Sequence, residues 1–321
     1  MFDVVESIAH FGKTAETAGF WLFLGFLLLL FVGCAWQTMV SIGQLRSIGG
    51  AVKHESARAG GGYGKVLGHA AATPAGGQSQ DGELVAPFSG ASCVFYRVEI
   101  ARKSGGENNE WRSIFKDRST LPLLVDDGSS SVYAVDIAAA DEVMNPKRHV
   151  WFNYETDLPA PLQGQDPGWF SNSIRFTEER IDAGERVYAL GDLEIRPMEK
   201  AARVDAAARR ILEAWRSWSA DYGLGRDGRP AAEHNPNHVD AMADPEARKE
   251  ATVCWVRERC GGTSVPILSE VSNGRRPFLV GIGEEKTVTR TVRWRIALAF
   301  PLGVVSAFVV VTMAAGRFIS L

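Results

Sequence analysis

Apolar and polar positions along the chain change period several times. Residues 17 to 45 contain no charge, and within them Phe20 to Trp36 (FWLFLGFLLLLFVGCAW) is an almost unbroken apolar block. A second uncharged run, IALAFPLGVVSAFVVVTMAAG, spans residues 296 to 316. Each is long enough to cross the ~30 Å hydrocarbon layer as a helix. Trp21, Trp36 and Trp294 lie near the ends of these runs, where indole rings prefer the bilayer interface. A cleavable signal peptide starts with basic residues, whereas Asp3, Glu6 and Glu16 here outnumber Lys13. Phe31-Val32-Gly33-Cys34 fits a lipoprotein cleavage box poorly at Phe31. Two spanning helices are therefore expected, in preference to buried core helices.

Between them the pattern shifts to period two. Strands are expected at Tyr63 to Leu67, Cys93 to Ala101, Pro122 to Val125, Ser131 to Ile137, Ile174 to Ile181 and Arg186 to Leu190. Asp126-Asp127-Gly128 and Asp182-Ala183-Gly184 read as hairpin turns joining neighbouring pairs. Period 3.6 then takes over. Val204, Ile211, Leu212, Trp215, Trp218 and Tyr222 space an amphipathic helix over 198 to 222. Asp244-Pro245 caps a second helix running to Gly261. Short apolar segments at Val265 to Leu268 and Pro277 to Val280 follow. The expected fold class is α+β: two transmembrane helices flank a β-rich, antiparallel, barrel-like cytosolic domain with a helical hairpin insertion.

The expected boundaries are a tail at 1–18, a transmembrane helix at 19–42 and a linker at 43–62. The β-rich domain takes 63–197 and 262–285, the helical hairpin 198–261, and the second transmembrane helix 294–316. Basic residues set the orientation. Arg46, Lys53, Arg58, Lys286, Arg290, Arg293 and Arg295 flank the spans on the central side, against Lys13 and Arg317 outside. Positive flanks stay cytoplasmic, so in a bacterial inner membrane the central region faces the cytoplasm and both termini lie outside.

Composition adds exclusions. The 321 residues carry a net charge of -3, which argues against nucleic acid as a partner. Three of the four cysteines, Cys93, Cys254 and Cys260, lie in the central region, an odd number that suggests no disulfide framework.

The order of segments resembles one family. GKVLGHA (64 to 70), APFSGASCVFYRVEI (86 to 100), Trp111, LPLLVDDGSSSVYAV (121 to 135), RFTEERIDAGERVYALGD (175 to 192) and PILSEVSNGRRPFLV (266 to 280) follow one another between two membrane helices. This arrangement is similar to the GIDE-type, or beside-a-membrane (BAM), domain of RING-type E3 ubiquitin ligases and their bacterial relatives. The resemblance implies a transferase, or a component of one, wherever a RING follows the second helix. A RING needs eight paired Cys and His ligands for two zinc ions. This chain has no Cys-x-x-Cys, and only RFISL follows Gly316. The expected function is thus a membrane-anchored, non-enzymatic interaction or sensing module for a protein partner. An E3-like transferase and a metal-dependent regulator are the alternatives.

The candidate chemistry is sparse. His234, His238, Cys254 and Cys260 are the only cluster of ligand-type residues, but the cysteine spacing is wrong for a structural zinc finger, so no metal, cofactor or catalytic residue is expected. GGGYGK places Ala59 and Val66 where a phosphate loop needs Gly and Ser or Thr. DYGLGRDGRP retains only Asp227 of the calcium-loop carboxylates. His149 is expected on a loop or edge. Cys93 has no His or second Cys in its own motif and is expected to pack in a strand.

Overall fold

The structure, a computed structural model, describes residues 17–53, 61–71, 84–103, 110–128, 132–154, 158–159, 162, 173–197, 206–216, 244–260, 264–271 and 276–318. His234, His238, Trp169, Trp218 and the segment 221–230 lie outside the described residues, as does the side chain of Cys260.

In chain order the elements are α1 (Thr17–Gly50), β1 (Val52–Lys53), β2 (Gly62–Ala71), β3 (Leu84–Val85), β4 (Ser92–Cys93), β5 (Phe95–Lys103), β6 (Trp111–Arg118), β7 (Leu123–Asp126), β8 (Val132–Val135), a 3-10 turn (Ile137–Ala139), β9 (Glu142–Met144), β10 (Lys147–Phe152), β11 (Ile174–Ile181), β12 (Arg186–Pro197), α2 (Ala206–Arg216), α3 (Pro245–Cys260), β13 (Ser264–Ser269), β14 (Leu279–Ile282) and α4 (Glu285–Phe318). They form two compact units, 1–50 with 289–321, and 51–288.

In the first unit, α1 and α4 are each 34 residues long, ~50 Å at 1.5 Å per residue. Both are long and apolar enough to cross a membrane. Leu22 and Leu298 are 77% and 69% exposed, which argues against the reading as core helices of a soluble protein. Two hydroxyls within the spans bond to the backbone one turn earlier. Thr38 Oγ1 donates to Cys34 O at 2.8 Å, and Ser306 Oγ donates to Leu302 O at 2.8 Å. Helix α1 continues through residues 43–50, which the sequence pattern assigns to the linker.

The second unit is built on a closed ring of five strands, β2-β7-β8-β13-β12, with β12 pairing back to β2. Numbered along the chain, the ring order is 1-2-3-5-4. The expectation of an antiparallel barrel needs correction. β8 and β13 run parallel, as do β9 and β14 outside the ring, because several intervening elements, β10 to β12 among them, separate each pair along the chain and leave room for a crossover.

The strands β7, β8 and β13 explain their own sequences. LPLLV, SVYAV and SVPIL are nearly unbroken apolar runs because both faces of these strands are covered. Leu123, Val125, Tyr133, Val135 and Leu268 fill the barrel. Leu124, Ala134, Val265 and Ile267 point outward into a second core shared with α2, α3 and the inner face of a four-stranded sheet. In β2, a Cβ on Gly68 would meet Asp126 O at 2.3 Å, so this crossing of β2 and β7 requires glycine.

The four-stranded sheet has the order β10-β11-β5-β6. Two features depart from the sequence reading. β6 and β10 are additional strands here, as is β9 outside this sheet. His149 lies on the edge strand β10, one of the two placements expected, with its ring stacked 5.6 Å from Trp151. In addition, β11 and β12 do not form a hairpin. β11 belongs to the four-stranded sheet and β12 to the barrel, and Asp182-Ala183-Gly184 is the corner between them. Gly184 (φ +83) donates its N–H to Ala70 O at 2.7 Å, which pins that corner to the barrel.

The helical hairpin is present as α2 and α3, although α2 is described only over Ala206–Arg216. Asp244 Oδ1 accepts the Glu246 N–H at 3.0 Å, the expected cap. The Arg248 guanidinium donates to Asp136 at 3.0 Å and ties α3 to the barrel. Trp215 Nε1 donates to Thr120 Oγ1 at 3.3 Å and ties α2 to the loop after β6.

Candidate docking face

The residues that carry reactive groups serve the fold. Cys93 is 1% exposed in the second core. Burial pushes its thiol up to about 12, and the Glu178 and Asp182 carboxylates push the same way, so it does not form a thiolate at physiological pH. Glu178, fully buried, accepts the N–H groups of Phe88 and Ser89 at 2.9 and 3.0 Å and the Ser89 hydroxyl at 2.5 Å. That carboxylate folds the APFSG turn onto β11. Gly90 (φ +67) completes the turn, with its N–H on Ala86 O at 2.9 Å.

The sequence alternation places Cys93 on the face of Phe95. Instead Phe95 enters the barrel while Cys93 joins Tyr96 and Val98 in the second core. Val94 stands between β4 and β5 with its N–H donated to Ile181 O at 2.8 Å, and this one-residue break inverts the phase.

Cys254 is likewise buried, 1% exposed, among apolar side chains of α3. Among the described residues no group of three or more His, Cys, Asp and Glu is placed to hold a metal. The glycine-rich GGYGK string lies within β2, extended rather than looped, and Lys65 Nζ pairs with Glu285 at 2.8 Å. Trp151, Trp215 and Trp255 pack in or against the second core.

The most distinctive surface is the outer face of the four-stranded sheet. Register alone assembles it, since residues directly opposite across strands share a face. One row reads Arg148, Glu179, Arg97, Arg118. The next reads Val150, Thr177, Glu99, Lys116, and the third Phe152, Arg175, Ala101, Ser113. Four cations thus surround two carboxylates in the first two rows.

The cations form the outer layer. Lys116, Arg148 and Arg97 are 70%, 58% and 47% exposed, against 29% for Glu99 and 17% for Glu179. Glu179 sits beneath Arg97, which donates Nε at 2.7 Å, and Arg148, 3.8 Å away. Lys116 lies 3.7 Å from Glu99. Under this layer the Thr177 hydroxyl is buried with no hydrogen-bond partner among the described residues. A cleft of about 1090 Å³ opens here, bounded on its far side by Ala138, Pro245, Arg248 and Glu270.

At and beyond the third row the face becomes aromatic. Trp111 and Phe152, from the two edge strands, meet at 5.7 Å, and the Arg175 guanidinium lies 5.1 Å over the Trp111 ring. Tyr154 stacks on Phe152 at 5.3 Å and is 68% exposed. Cations with aromatic neighbours and a buried hydroxyl are equipped to bind an anion and an amphipathic surface.

Sequence reasoning missed this face, because it depends on β6 and β10. Comparison with family models, curated proteins and solved structures returned no match.

Proposed function

We propose that this chain is a membrane-anchored docking module without enzymatic activity of its own, holding a GIDE-type domain beside the bilayer to engage an anionic partner. The observation that carries the proposal is the cationic outer layer of the four-stranded sheet, where Arg97, Lys116 and Arg148 stand above the carboxylates that would neutralise them. The non-enzymatic reading is supported by the use of Cys93 and Glu178 in the interior. The GIDE-type reading is supported by the motif order between two apolar helices. The excess of basic flanks on the central side supports a cytoplasmic domain with both termini outside.

The test is binding by the full-length chain in nanodiscs of neutral lipid. At least one polyanion, polyglutamate or anionic vesicles, is bound, polylysine is not, and added salt weakens the complex. Equal binding of polylysine, or no binding of either polyanion, would overturn the reading.

A further inference from the structure

The docking face combines its two chemistries in an uncommon order. Cations occupy one end, and an aromatic end, Trp111, Phe152 and Tyr154, continues the same surface. Val150 and Ile114, 39% and 37% exposed, lie on the outer strands of the sheet. A bilayer surface offers both counterparts, with anionic headgroups for Arg and Lys and an interfacial layer in which Trp and Tyr rings are stabilised.

Charge complementarity favours the same occupant. Arg97, Lys116, Arg118 and Arg148 exceed Glu99 and Glu179 on this face, in a chain whose net charge is -3. Chain continuity keeps a bilayer within reach. Only Gly283 and Glu284 separate β14 from α4, one of the two helices long and apolar enough to span a membrane. Thr177 adds a buried hydroxyl with no hydrogen-bond partner among the described residues, in the cleft that Arg97, Lys116 and Arg148 line, available to a headgroup phosphate.

We propose that the outer face of the four-stranded sheet docks on anionic lipid headgroups. Lys116, Arg148 and Arg97 contact the phosphates, and Tyr154 enters the interfacial layer. The inference rests on the docking reading above and names its partner.

The experiment is hydrogen exchange on the full-length chain in two nanodiscs, one of neutral phosphatidylcholine and one with about a third phosphatidylglycerol. Amides of β6 and β10 exchange about tenfold more slowly in the anionic disc. The protection disappears in high salt and in the K116E/R148E variant, whose altered side chains are exposed and leave the core untouched. Equal exchange in both discs, or protection that survives the charge reversal, would overturn the proposal. A third arm adds polyglutamate to the neutral disc. Protection there without protection in the anionic disc would overturn the lipid assignment while leaving the docking reading standing, and protection in neither would remove both.

Discussion

Cys93 shows how a residue type associated with reactivity becomes structural. Its thiol is 1% exposed and pushed up to about 12 by burial and by two nearby carboxylates. Native protein at pH 8 should therefore leave Cys93 unmodified by a thiol reagent that labels it rapidly after denaturation. Cys93→Ala should cost about 1 kcal/mol, the scale of a small void, with polyanion binding unchanged. Lost binding in a folded variant would contradict this. Asp182 makes a pH prediction. Burial pushes its carboxyl up, but Lys147 and Arg180 more than offset that and hold it below its ordinary value of 3.8. Its contribution is present above 3.8 and is lost as pH falls through the lower folded value. Wild-type melting temperature should fall across that acid range, and Asp182→Asn should flatten the fall.

At the element scale, the legible parts were those with strong local periods. Both spans, β11 and the cap of α3 follow directly from apolar runs, alternation and Asp244-Pro245. β6 and β10 were illegible because WRSIFKDR and KRHVWF carry charge on one face and interrupt the apolar pattern on the other. Those interruptions build the docking face, so the least legible strands form the site. Asp182-Ala183-Gly184 looked like a hairpin because turn chemistry reports only the bend; whether the next strand pairs back or joins another sheet is decided by tertiary packing. Cys93's face was misassigned because a one-residue break at Val94 leaves no mark on composition. The attachment of α3 makes its own prediction. Arg248→Met should destabilise the fold by about 3 kcal/mol or more, because Asp136 would be left buried without its cation. Asp136→Asn combined with Arg248→Met should recover part of that loss in a denaturant titration. Equal losses in the single and double variants would show that the pair is not coupled.

At the scale of the whole molecule, a barrel fixes one wall of the domain, the helical hairpin packs on it, and the four-stranded sheet turns its inner face to that shared core. The outer face is the proposed docking surface. Reporters active on only one side of the membrane, fused to each terminus, should place both ends outside the cytoplasm; a cytoplasmic terminus would reverse the charge argument. The central claim is that the exposed cations of this face are the binding surface. The most direct measurement is the affinity of full-length protein for a polyanion as a function of salt, wild type against K116E/R148E. The account predicts affinity that falls steeply with salt in the wild type and is lost in the folded variant. Unchanged affinity in that variant would contradict it.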